Sequence, residues 1–181
     1  MASIISHAAA GAALSIAFAP DDAPARYWPV AIAAAVLPDA DSLLYYFRYY
    51  PGLGHRGFFH SPFLALIVSF SLMLLFFQDE ALFSGRWFRY FLLFFVVWTS
   101  HGLLDALTNG GQGVAFFSPF SSERYFLPWT PIQVSPMGIR RFISSRGWSV
   151  LKSEFVWIWL PGVALVFLSR VVRLRMKKVK G

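Results

Sequence analysis

The sequence predicts an all-α, polytopic membrane helix bundle with about five membrane segments, on three observations. The chain of 181 residues is 57% hydrophobic and only 14% charged, with a mean hydropathy of +0.55, a balance outside that of soluble domains. Several apolar runs approach the roughly 20 residues that cross a bilayer core of about 30 Å. Six of the 16 basic residues, Arg170, Arg173, Arg175, Lys177, Lys178 and Lys180, follow directly on the last apolar run, the pattern of a cytoplasmic flank touching anionic lipid headgroups. The net charge of +7 therefore reads as a topology signal. No aromatic and basic groove accompanies the tail, and nucleic acid is not an expected partner.

The first segment runs from about Ser6 to Ala19. Its small residues Ala8, Gly11, Ala12 and Ser15 flatten one helix face, so that a neighbouring helix can approach closely within a membrane. Pro20, Asp21, Asp22 and Pro24 end it. Met1 to Ile5 carries no Lys or Arg, unlike the basic start of a cleavable signal peptide, so this segment is expected to be retained as the first membrane span. The second segment opens at the interfacial pair Tyr27 and Trp28 and runs through Val30 to Leu37. There Pro38, with no amide hydrogen and a steric bias against helical geometry at Leu37, kinks or breaks it. On an unbroken helix Asp39 and Asp41 would point about 200° apart; at a break both can face one point. Ser42 to Tyr50 reads as a short aromatic interfacial helix ended by Pro51 and Gly52.

A glycine-rich loop with Gly52, Gly54 and Gly57 then carries His55, Arg56 and His60. Ser61 followed by Pro62 is a helix start, serine as N-cap and proline at the first helical position, and the third run is Phe63 to Phe77. After a polar turn, the fourth run extends from Trp87 to about Leu107. It places His101 and Asp105 at i and i+4, on one helix face, and ends in Thr108, Asn109, Gly110, Gly111 and Gly113. Residues 114–152, with four prolines and with Arg124, Arg140, Arg141 and Arg146, read as an extramembrane loop with short strands or turns. The fifth run, Phe155 to Ser169, is interrupted by Pro161 and Gly162, and residues 170–181 form the basic tail. No internal repeat divides the chain, which reads as a single membrane-embedded domain, residues 1–181.

The polar residues locate a site. All four histidines, His7, His55, His60 and His101, lie in or beside apolar segments together with Asp39, Asp41 and Asp105, and in an alternating bundle these positions fall at one membrane face. Ionisable groups at membrane depth are costly and point to function. With no cysteine, a metal would be held by imidazole and carboxylate, which suits a divalent ion, zinc first and manganese or iron as alternatives. One ion or two are compatible with seven ligand candidates. Asp39 or Asp105 can instead act as a general base. Arg56 suits a bidentate clamp on phosphate or carboxylate, and Arg124, Ser61 and Thr108 are further candidate substrate contacts. The basic tail places the site on the outer face of the membrane.

Three motifs carry a family resemblance: Leu-Pro-Asp-Ala-Asp over Leu37 to Asp41, His-Arg-Gly-Phe-Phe-His-Ser over His55 to Ser61, and His-Gly-Leu-Leu-Asp-Ala-Leu-Thr over His101 to Thr108. Together they resemble the YdjM-like bacterial inner-membrane proteins described as membrane-bound metal-dependent hydrolases. The resemblance implies a multi-span inner-membrane hydrolase with these His and Asp residues as metal ligands. The order of histidines and aspartates is more distantly similar to zinc-dependent phospholipase C and P1-type nucleases, but no histidine follows His101 to complete a site of that kind. The expected activity is hydrolysis of a phosphoester or related bond in a membrane lipid or lipid-linked substrate. The rival expectation is a non-catalytic, metal-binding transporter or regulatory scaffold.

Overall fold

The computed structural model describes residues 1–42, 54–136 and 138–180. The expected aromatic helix from Ser42 to Tyr50 lies, beyond Ser42, outside the described residues. The helices are α1 (Ile4–Phe18), α2 (Tyr27–Val36), α3 (Pro62–Phe76), α4 (Gly85–Ala106), α5 (Ile139–Phe142), α6 (Ser145–Glu154) and α7 (Leu160–Lys180). Tighter 3-10 turns occupy Leu37–Ala40 and Phe58–His60, and a π-helical stretch, Phe155–Trp159, joins α6 to α7. Among the described residues there is no strand, only the isolated bridges Thr108 to Ile132 and Val114 to Tyr125. The fold is the all-helical membrane bundle that the composition predicts.

Serines start four of these helices. The side chains of Ser3, Ser61, Ser84 and Ser144 accept from the amides of Ser6, Leu64, Trp87 and Gly147, satisfying donors that a helix N-terminus leaves open. The small face of α1 meets α2 so closely that a Cβ on Gly11 would lie 2.4 Å from the Cβ of Ala35. In lipid, where the apolar effect between helices is weak, such contact acts through van der Waals packing. At one end of the bundle Tyr27, Met73, Phe77, Tyr90 and Phe94 form an aromatic core. Towards the other end lie the small Ala34, Ala35 and Ala65 with Val97 and Trp98, and this end carries the polar site.

The helix that holds the fifth apolar run differs from its expectation. It begins at Ser145, not Phe155, so the last residues of the predicted loop 114–152 are helical, and a single helix runs over Ser145–Val179. Pro161 does not interrupt it. A proline cannot donate to the carbonyl four residues back, and the backbone adjusts by a π turn in which the Leu160 amide reaches Phe155 O. π segments absorb such a mismatch without ending a helix. Among the described residues two helices, Gly85–Ala106 and Ser145–Val179, have the length and hydropathy to cross a membrane alone; Ile4–Phe18, Tyr27–Ala40 and Pro62–Phe76 are apolar but shorter.

Away from the site the connections are tied by ion pairs. Arg86 pairs with Asp22 and Glu80, Arg26 with Asp79, and both Arg173 and Lys177 of the tail with Asp21. Asp21 is held below the ordinary aspartate range by its hydrogen bonds from Lys177 and Arg173.

Candidate metal centre

Four elements meet where α1 begins, α2 ends, α3 begins and α4 ends. The last turn of α4 presents His101 and Asp105 inward, both buried. The 3-10 turn after α2 carries Asp39 inward and delivers Asp41 one residue beyond it. The second 3-10 turn ends in His60, and it presses on α4 at a glycine: a Cβ on Gly102 would sit 2.8 Å from His60 O. From the first turn of α1 comes His7, its ring stacked on His101 with centroids 3.5 Å apart. The break at Pro38 thus brings both aspartates to His60, and the spacing of His101 and Asp105 puts both on the inner face.

One donor atom each from Asp39, His60, His101 and Asp105 lie within 4.8 Å of one another, and all four residues are buried. His101 Nε2 is 3.3 Å from Asp39 Oδ1, and His60 Nε2 is 3.5 Å from Asp105 Oδ2 and 3.9 Å from Asp39 Oδ1. His7 Nε2 lies 3.3 Å from Asp105 Oδ1. These approaches are not aligned hydrogen bonds. Among the described residues, both oxygens of Asp39, both nitrogens of His7 and His60, and Nε2 of His55 and His101 are buried without a hydrogen-bond partner. Buried polar atoms are almost always satisfied, so a convergent set of unpaired nitrogen and oxygen donors fits a divalent cation, whose ligands are deprotonated imidazole and carboxylate.

The ring orientations favour the same assignment. His101 Nδ1 is 2.8 Å from the carbonyl of Ala35, an acceptor in the open last turn of α2, which makes Nδ1 the protonated nitrogen and turns Nε2 to the cluster. His60 Nδ1 faces Asp41 Oδ2 at 3.0 Å. His55 Nδ1 is bonded to Asp41 Oδ1 at 2.7 Å. Asp41 therefore stands between two imidazoles, as an outer carboxylate that orients histidine ligands does. A second group, Asp41, His55 and His60, is also close enough for an ion, but it shares His60 with the first. Burial raises the pKa of the Asp41 carboxyl, and the hydrogen bond from His55 with the adjacent His60 imidazole brings it below its ordinary value. His60 precedes the spanning part of α3; burial alone would lower its pKa, and the carboxylates of Asp105 and Asp41 overcome this and push it up to about 9. The cluster is electron-rich enough to hold a cation, and in its absence a proton.

Arg56 is inside the protein, 1% exposed. Its Nε donates to Asp105 Oδ2, Nη1 to the carbonyls of Gly110 and Gln112, and Nη2 to Thr108 Oγ1. Its amide donates to Asp41 Oδ2, and its φ of 62° is the left-handed conformation that turns the chain between His55 and His60. Thr108, also buried, donates to Asp105 O, and Ser61 is the N-cap of α3. Arg124 is placed differently: its Nη1 donates to His55 O and Gly113 O, and it is only partly buried. His55, with a side chain 12% exposed, is the one histidine in contact with the outside.

The model of the YdjM inner membrane protein family matches residues 1–177. The chain belongs to the YdjM family. It is 38% identical over 168 residues, 92% of this chain and 95% of the relative, to the inner membrane protein YbcI of Escherichia coli (strain K12). No solved structure matches. As a YdjM protein it is an inner membrane protein, and its buried His and Asp cluster can hold a metal ion.

One residue of this YdjM site has no counterpart in the sequence reading. Glu154 is fully buried at the start of α1, where its carboxylate accepts from the amide and hydroxyl of Ser3 and from the hydroxyl of Ser6. Ser6 also accepts from Trp159 Nε1. Glu154 thereby fixes the turn that carries His7 and sends the Ala2 amide to Asp105 Oδ1 at 2.8 Å. The signal that could have found it is a lone glutamate one residue before an apolar run, a position that lipid does not tolerate without a partner.

Proposed function

We propose that this protein is a membrane-bound metal-dependent hydrolase acting on a phosphoester or related bond of a lipid or lipid-linked substrate. The observation that carries the reading is the buried set Asp39, His60, His101 and Asp105, with unpaired donor atoms on three of the four. A divalent ion held there, zinc by the balance of nitrogen and oxygen donors and manganese or iron by the same chemistry, supplies Lewis acidity and lowers the pKa of a bound water. His7 is the neighbouring donor available to the same ion. One ion is favoured over two, because His60 is common to both candidate groups and Asp41 is engaged with His55.

The protein's own residues divide the remaining work. Ala35 O sets the tautomer of His101, and Asp41 stands 3.0 Å from Nδ1 of His60. Arg56, saturated by protein acceptors, positions Asp105 through Nε and the glycine-rich loop through Nη1; it supports the site from within and does not face a ligand. Arg124 keeps Nε and Nη2 free of protein hydrogen bonds among the described residues and stands beside His55 at the mouth, so it is the anion contact for a headgroup phosphate. Asp39, with both oxygens unpaired, can serve as ligand or as base for the attacking water. The site face is the outer one if the basic tail is cytoplasmic.

Elemental analysis of purified protein tests the reading first: the expectation is one divalent ion per chain, lost in His60→Ala and in Asp105→Ala. Metal content unchanged by both substitutions would sink it. The loaded protein in detergent is then expected to hydrolyse phospholipids or lipid-linked phosphates. Metal uptake into sealed vesicles without hydrolysis would favour the transporter instead.

A further inference from the structure

We propose that the outward groove between α1 and α7 binds one anionic phospholipid, its acyl chain lying along the groove and its phosphate held by Arg170. The groove has a volume of about 620 Å³, and its walls include Ala9, Ala13 and Ile16 of α1 and Gly162, Val166 and Arg170 of α7. Alanines on α1 leave a trough beside the line where the two helices touch, and that line is set by Gly162, whose Cβ would come within 3.2 Å of Ala13. At about 100° per residue, Ala9, Ala13 and Ile16 lie roughly 180–240° around α1 from His7. The groove is thus on the far side of α1 from the metal cluster, and the proposal does not rest on the function assigned there.

The dimensions fit one lipid chain. From Ile158 to Arg170, both on the wall, the helix rises about 18 Å, against about 15 Å for one leaflet of a ~30 Å hydrocarbon core. Arg170 ends the groove at the tail side. Arg173 and Lys177 of the same helix are committed to Asp21, whereas Arg170 is exposed and joins no ion pair among the described residues. A guanidinium on a groove rim matches a phosphate in geometry and charge. A net negative headgroup gives Arg170 its full Coulomb attraction, whereas a headgroup that carries its own ammonium offsets it, which selects a net negative lipid. A second copy of the chain is the poorer occupant, because a two-fold axis along the membrane normal would bring two Arg170 side chains to the same depth across the contact.

The test uses the full chain in mild detergent, with phosphatidylglycerol and phosphatidylethanolamine added separately and bound lipid counted by native mass spectrometry. The expected result is one phosphatidylglycerol retained per chain, at least fivefold more than phosphatidylethanolamine. Arg170→Gln should lower retention at least fivefold, and Ala12→Phe, which fills the groove, should abolish it. Equal retention of both lipids, or retention unchanged in Arg170→Gln, overturns the proposal. A protein dimer that Ala12→Phe dissociates would assign the groove to a second copy and overturn it as well. Should Ala12→Phe fail to fold, Arg170→Gln, a surface change, decides alone.

Discussion

Replacing Arg56 by methionine tests whether the guanidinium is a structural strut. Methionine keeps most of the apolar stem, so the change isolates the charged head. Four hydrogen bonds are lost, of 3.0 Å to Asp105, 3.1 and 2.8 Å to the carbonyls of Gly110 and Gln112, and 2.8 Å to Thr108. Asp105 and Arg56 are both buried, and removing the guanidinium, which leaves Asp105 facing only the imidazoles of His7 and His60, costs about 3–5 kcal/mol on the scale of a broken buried pair. At ~2–4 °C per kcal/mol for a chain of this size, the melting temperature should fall by about 6–20 °C. The assay is thermal unfolding of metal-free protein in detergent, followed by tryptophan fluorescence. Asp105→Asn on the Arg56→Met background should be milder than the sum of the single changes, with a coupling of about 0.5–3 kcal/mol. A melting temperature within about 2 °C of the parent in Arg56→Met, or strict additivity in the double variant, refutes the strut. A clamp facing a substrate would give the opposite pattern, with stability intact and ligand affinity reduced.

Three further outcomes are expected. Asp39→Ala and His101→Ala should abolish stoichiometric metal, while Asp41→Asn should weaken affinity about 10–100-fold without abolishing it, as for residues that orient a ligand; metal titration separates the two classes, and equal losses would make Asp41 a ligand. The stabilisation carried by the His60 proton is complete below the unfolded value near 6.5 and is lost as pH rises through about 9, so metal-free protein should melt progressively lower over that window. The same proton must leave before the ion enters, and affinity should rise up to tenfold per pH unit between about 7 and 9; a pH-independent affinity would contradict the assignment of His60. Glu154→Ala strands the donors of Ser3 and Ser6 at about 1–3 kcal/mol each, whereas Glu154→Gln keeps an acceptor and should retain most of the stability, a difference that a melting series resolves.

The elements that follow from local chemistry were legible in the sequence. Ser61 and Pro62 mark the start of α3, Pro38 marks the end of α2, and the small face of α1 announces the approach of Gly11 to Ala35. The clustering of His60, His101, Asp39 and Asp105 was legible for a related reason, since polar groups in apolar segments have to find one another. What depends on the direction of a long side chain was not. Arg56 reads as an outward anion contact until its left-handed backbone turns the guanidinium beneath the loop. Glu154 was hidden because the apolar run begins after it, while the helix that carries it begins at Ser145. The pairing of Arg173 and Lys177 with Asp21 joins residues far apart in the chain, and composition alone reads those tail charges as contacts to anionic lipid headgroups.

The unequal lengths of the helices bear on the membrane itself. With 15 residues each, α1 and α3 rise about 22 Å, and α2 with 10 residues about 15 Å. The 22 residues of α4 reach about 33 Å, close to a full hydrocarbon core. A bundle with two full walls, α4 and the helix over Ser145–Val179, and three low ones draws the leaflet inward beside the low walls, at a cost that rises with each ångström of mismatch. Each of the low walls has one end at the metal cluster, the start of α1, the end of α2 and the start of α3.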